Sequence, residues 1–90
     1  MQIDPKFQPL IDLLVADVRE RDKWVEEAKR TGERDEEWQA IGQRASYKTA
    51  LGYALYTAEG KDVPGVDPRE QREIARTRAI SYLATHPGPK

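Results

Sequence analysis

At 90 residues, with no cysteine and a formal net charge of −1 at pH 7, the chain is expected to form one small domain over residues 1–90. The absence of cysteine excludes disulfides and thiolate metal sites. The first ten residues lack the basic start and apolar run of a signal peptide, and no segment approaches the roughly 20 apolar residues that span a bilayer, so we expect a cytoplasmic protein.

The first predicted helix spans residues 9–31. Apolar side chains recur at helical spacing along it, at positions 11, 14, 18 and 25, which is typical of an amphipathic helix. Pro9 suits the first turn, and Gly32 suits a left-handed residue that ends the helix.

The second predicted helix spans residues 35–59 and begins with Asp35, Glu36 and Glu37, whose negative charges are favourable at a helix N-terminus. Because it is about as long as the first helix and follows a short turn, the pair should form an antiparallel hairpin.

Apolar positions of the second helix change side midway. Trp38, Ile41 and Ala45 cluster on one face, and the later positions lie about half a turn away: Tyr47, Leu51, Ala54 and Ala58. The stretch TALGYALYTA, residues 49–58, carries no charge, so its surface is expected to be surrounded. Either the other two helices or a second protein molecule would provide the cover.

The third predicted helix spans residues 68–85. Asp67 suits its N-cap, Pro68 its first position and Glu70 the third position of a capping box. The closing HPGPK cannot continue a helix, so residues 86–90 are predicted to form a mobile tail. The fold class is therefore all-α, a three-helix bundle made of a long antiparallel hairpin and a third packed helix. Dimerisation is a further way in which the small core could be completed.

Candidate contact residues are of two kinds, aromatic and basic. Trp24 and Trp38 flank the hairpin turn, where they could meet, and tryptophan is enriched at interface hot spots. Tyr53 and Tyr56 lie on the uncharged stretch. The basic candidates share one face of the third helix, where Glu73 also lies: Arg69, Arg72 and Arg76.

Charge is distributed unevenly along the chain. Residues 1–40 carry seven basic and eleven acidic side chains, whereas residues 41–90 carry eight and five. The arginine face is therefore either solvated or available to an acidic protein surface, including that of another copy. The alternative is nucleic-acid binding by the third helix, assisted by Arg44 and Lys48.

Catalysis has little support in the sequence. His86 is the only histidine, Ser46 has no neighbouring base, and the glycines form no phosphate-binding loop. We therefore expect no enzyme, no cofactor and no metal site. The favoured function is a helical protein-interaction module, such as an adaptor, an assembly subunit or a stoichiometric inhibitor, that binds a protein partner with an acidic surface and forms a homodimer.

Overall fold

The computed structural model describes residues 3–86, which fold into three α-helices after a short 3-10 helix at Pro5–Phe7. The α-helices are α1 (Gln8–Thr31), α2 (Arg34–Ala58) and α3 (Pro68–Thr85), and each begins and ends within one residue of its predicted bounds. The all-α fold, a helical hairpin with a third packed helix, is as predicted. Of the predicted tail, only His86 lies within the described residues.

Helix ends follow the capping residues of the sequence. Gly32 adopts a left-handed conformation with φ 76° at the end of α1. At the start of α3 the Asp67 side chain accepts a hydrogen bond from the Glu70 backbone N–H at 2.8 Å, with Pro68 in the first turn. These local signals place the boundaries correctly because each satisfies backbone groups that a helix end leaves unpaired.

The hairpin of α1 and α2 contains most of the core. Ile11, Val18 and Val25 of α1 are fully buried, as are Ala40 and Leu51 of α2. At its open end the backbone N–H of Asp4 donates to Ala58 O at 2.9 Å, which fastens the N-terminal segment to the end of α2. The buried side chains on one face of α1 thus pack against α2 over the length of the hairpin.

Helix α3 approaches α2 most closely at Gly52. A Cβ atom built on Gly52 would lie 1.8 Å from the carbonyl O of Ala75, so only glycine allows this backbone contact. Ala75 and Ala79 of α3 are fully buried beside it, and their small side chains keep the helices close. The uncharged stretch of α2 is therefore covered by α3 on this side and by α1 on the other.

Two arginines of α3 define how it crosses α2. Arg76 Nε donates to Thr49 Oγ1 at 3.3 Å, whereas Arg78 forms an ion pair with Glu59, whose side chain is 9% exposed. Positions 76 and 78 lie about 200° apart around a helix, and positions 49 and 59 lie about 15 Å apart along one. The two arginines lie on opposite sides of α3 and reach positions that are far apart along α2. Helix α3 therefore runs across α2 rather than alongside it.

The end of α3 also reaches α1. Ile11 shares a core cluster with Ala79 and Tyr82, and Arg19 Nη2 donates to the carbonyl O of Leu83 at 3.4 Å. Helix α3 thus lies across the open end of the hairpin, while residues 34–48 of α2 and the adjoining part of α1 project beyond it. We call this projecting part the hairpin arm.

The overall dimensions agree with this arrangement. The principal extents are 42 × 34 × 18 Å, and the radius of gyration is 14.0 Å. A compact domain of this length would have a radius of gyration of about 12 Å. The described chain is therefore flatter and more extended than a globule of equal length, and it leaves more helix surface uncovered.

The close crossing generates a stability prediction. Gly52→Ala should destabilise the protein by about 1–3 kcal/mol, because the added methyl group overlaps the backbone of Ala75 and forces α3 away. Gly42→Ala is the matched control, because it lies in the same helix with no atom within 4 Å of the new Cβ, and it should be neutral or stabilising. Urea unfolding followed by circular dichroism measures both, and equal stability of the two variants would contradict the crossing.

Candidate protein-interaction surface

The hairpin arm carries an apolar stripe formed by Trp38, Ile41 and Ala45. Trp38 is 73% exposed, and Ile41 and Ala45 are half-buried. The stripe lies on the side of α2 that, further along the helix, is covered by α3 at Gly52 and Leu55. Within residues 3–86, α3 covers this side only in the C-terminal half of α2. The stripe lies on the same side of the helix but is left uncovered by α3.

A basic elbow stands where the stripe meets α3. Arg76 contacts Thr49, and Lys48 is the preceding residue of α2, so Arg76 and Lys48 lie at the same level along α2. Arg69 and Arg72 share the face of Arg76 and are exposed. The crossing therefore brings Arg76 of α3 to the level of Lys48 on α2, and Arg72 and Arg69 follow on the same face of α3. We use the name basic elbow for Lys48, Arg69, Arg72 and Arg76.

The arginines of α3 differ in their contacts. The spacing of Glu73 would allow an ion pair with Arg69 or Arg76. No ion pair within residues 3–86 joins the basic elbow to a carboxylate. Arg44, the other basic candidate, forms an ion pair with Asp22 of α1 at 3.1 Å and so links the two helices of the hairpin. The basic elbow thus keeps its positive charge, whereas Arg44 is partly neutralised.

The aromatic candidates separate into exposed and covered residues. Trp24 is half-buried on α1, and among residues 3–86 the only stacked ring pair is Tyr82 with His86, so the two tryptophan rings do not stack across the turn. Tyr53 and Tyr56 are half-buried, and Tyr56 lines a cavity with Ile74 of α3. Trp38 is therefore the aromatic candidate with the largest free surface.

Arg21 makes polar contacts both within α1 and across to α2. Arg21 is 3.8 Å from Asp17, donates to Gln43 Oε1 at 3.2 Å and stacks over the Tyr47 ring at 4.6 Å. The pair within α1 joins residues four apart, a spacing at which helix side chains meet, whereas the contacts to α2 have no local signal in the sequence. Arg21 thus helps to align α1 with α2 inside one molecule.

The tip of the hairpin holds an acidic turn, defined as Glu33, Asp35, Glu36 and Glu37. A hydrogen bond with Glu36, together with the negative charges of Glu36 and Glu27, raises the pKa of Glu33 above its ordinary value of 4.5. The carboxylates are thus crowded, and a nearby positive charge would relieve their repulsion. The acidic turn and the basic elbow lie at opposite ends of the apolar stripe.

Sequence reasoning missed two features near the base of the molecule. The Glu59–Arg78 ion pair joins residues 19 apart in sequence, and the His86 ring stacks on Tyr82 at 4.0 Å between centroids. The i, i+4 spacing of Tyr82 and His86 was a usable signal for the second contact. The first had no local signal, because it depends on the direction in which α3 crosses α2.

Comparisons with known proteins add no assignment. No protein-family model matches the chain, no curated protein is similar to it in sequence, and no solved structure matches it. Residues 3–86 contain no group of three side chains that could hold a metal ion, and no helix long and apolar enough to cross a membrane. The class that fold and surface define is a small all-α protein with an open, charge-separated helical surface.

The crowded acidic turn generates a pH prediction. Because its raised pKa means that folded Glu33 binds a proton more tightly than unfolded Glu33, its contribution to stability is present at low pH and is lost as the pH rises above 4.5. Glu33→Gln should remove this trend, so that the wild-type free energy of unfolding falls relative to that of the variant as the pH is raised from about 4 to 7.

Urea unfolding at several pH values measures this difference, at concentrations where light scattering gives the monomer mass. Asp12→Asn is the control, because it removes an exposed carboxylate of α1 that lies outside the turn and forms no ion pair within residues 3–86. The same trend in both variants would contradict a specific role for the Glu33–Glu36 contact.

Proposed function

We propose that this chain is a non-enzymatic helical protein-interaction module that acts by stoichiometric contact, as an adaptor, an assembly subunit or an inhibitor, and that it self-associates. The observation that carries the proposal is the apolar stripe, where Trp38 is 73% exposed on a helix side that α3 covers only further along. A continuous helical surface of this kind is suited to receive another helix.

Energetics favour occupation of the stripe. Covering the exposed part of Trp38, on the order of 150 Å², would contribute about 4 kcal/mol from apolar burial alone. Ile41 and Ala45 extend the contact along the helix, and alanine allows two helices to approach closely. Tryptophan is also the residue type most typical of interface hot spots.

Charge supports a preference among partners. The basic elbow beside the stripe would attract a surface with carboxylates and repel a basic one. A protein partner with an acidic surface therefore fits the stripe and the elbow together. The chain itself carries such a surface in its acidic turn, which makes a second copy one such partner.

A first test is the solution mass. Light scattering should give a dimer at micromolar concentration, and Trp38→Ala should raise the dissociation constant at least tenfold, because the truncated side chain loses most of its apolar contact. Val66→Ala is the control, since Val66 is 89% exposed in the connection before α3, off the stripe. A monomeric mass over a hundredfold concentration range would contradict self-association.

Nucleic-acid binding is the second candidate, and the observation that favours it is that the arginine face of α3 meets α2 at the level of Lys48. Phosphate contacts give affinity that falls steeply with salt. The acidic turn and the Arg44–Asp22 pair limit the basic area, and nucleic-acid readers add aromatic stacking or a broader basic surface.

Fluorescence titrations with labelled DNA and RNA separate the two candidates. We expect no submicromolar affinity near physiological salt, because the basic elbow offers few phosphate contacts. Submicromolar binding that weakens with salt, and that disappears when Arg69, Arg72 and Arg76 are replaced by alanine, would favour the second candidate over the first.

A further inference from the structure

Three surface features of the hairpin arm follow one another along α2. The acidic turn lies at its tip, the apolar stripe in its middle and the basic elbow at its base, where α3 crosses. The stretch 33–37 has a net charge of −3, Arg34 included, and the basic elbow together with Glu73 on the same face of α3 has a net charge of +3. This order is self-complementary, because a reversed copy presents positive charge where the first presents negative charge.

Spacing along the arm fits such a reversed copy. Residues 34–48 of α2 extend about 21 Å, and Ile41 lies midway between the acidic start of the helix and Lys48. If two α2 helices pair antiparallel about Ile41, each stripe faces the other stripe. The tip of each arm then reaches the level of Lys48 in the other copy.

Helix α3 determines where the pairing stops. It occupies the same side of α2 as the stripe, beginning at the close contact of Gly52 with Ala75. A second arm lying on the stripe would therefore meet α3 with its tip. The residues of α3 on this side of the crossing include Arg76, which contacts Thr49, and Arg72 on the same face.

We propose that two copies of this chain pair their α2 helices antiparallel about a twofold axis near Ile41, so that the acidic turn of each docks on the basic elbow of the other. This interface rests on the proposed self-association. It specifies which surface of each copy is used and how the two α2 helices are aligned along their axes. The arrangement is isologous, so each charge contact and each apolar contact occurs twice. It buries Trp38, which is 73% exposed in the single chain, against the second copy.

Reciprocal charge reversal tests the pairing. Glu33→Lys combined with Glu37→Lys gives one variant, and Arg72→Glu combined with Arg76→Glu gives the other. Each variant alone places like charges in both contacts, so its dissociation constant should rise at least tenfold. In an equimolar mixture, opposite charges meet again at both contacts, and a heterodimer with affinity within about threefold of the wild type should form.

A matched control for the first variant is Asp12→Lys combined with Asp62→Lys, which raises the net charge by the same amount at exposed positions outside the hairpin arm that form no ion pair within residues 3–86. It should dimerise as the wild type does. Circular dichroism of each variant alone checks that it remains helical, and sedimentation equilibrium gives the masses of the variants and of the mixture.

The outcomes separate the interface from the proposed function. A dimeric wild type whose reversed variants also dimerise, or whose mixture fails to recover the dimer, would overturn this interface but leave self-association standing. A monomeric wild type would overturn both. Binding of the Arg72/Arg76 face to an acidic peptide by a monomeric wild type would instead indicate a different protein as the occupant.

Discussion

The contact between Gly52 and the backbone of Ala75 is the constraint on which the rest of the architecture depends. Because no side chain separates the two helices there, α3 lies directly on α2 and can cross it steeply instead of aligning with the hairpin. A larger residue would force the helices apart and uncover Leu55, which is fully buried. The same crossing leaves the N-terminal half of α2 without cover from α3, so this close contact also creates the open surface.

Helix α2 resolves its unusual pattern of apolar residues by having two neighbours. Leu51, Leu55 and Ala58 share one core cluster with residues of α1 and α3, and Gly52 meets the backbone of Ala75. The uncharged stretch 49–58 is therefore covered in part within one chain, while Ala50 and Thr57 are exposed. The earlier positions, including Trp38, continue the side that faces α3 but lie beyond its reach. The part of α2 that a further partner would cover is therefore the hairpin arm, where apolar surface and charge occur together.

Separation of charge follows from the same geometry. The acidic turn lies at the tip of the hairpin, far from the arginines of α3 at its base, so the opposite charges cannot neutralise each other within one molecule. Two ion pairs of the described chain instead join neighbouring elements: Asp22 pairs with Arg44, and Glu59, at the end of α2, pairs with Arg78. These pairs hold neighbouring elements together. The remaining charges leave the tip of the hairpin negative and its base positive, so each end attracts a partner of opposite charge.

The sequence by itself determined the three helices, because their ends are marked by local devices: the left-handed Gly32, and Asp67 with Pro68. It also predicted the hairpin and the candidate residues on which the surface is built, Trp38, Lys48 and Arg76 among them. Only the tertiary structure decided which candidates lie together, since the crossing of α3 depends on backbone contact at Gly52 and has no periodic signal in the chain. For the same reason the burial of Leu55 and the exposure of Trp38, both apolar residues of one helix, followed from where a neighbouring helix ends rather than from hydrophobicity.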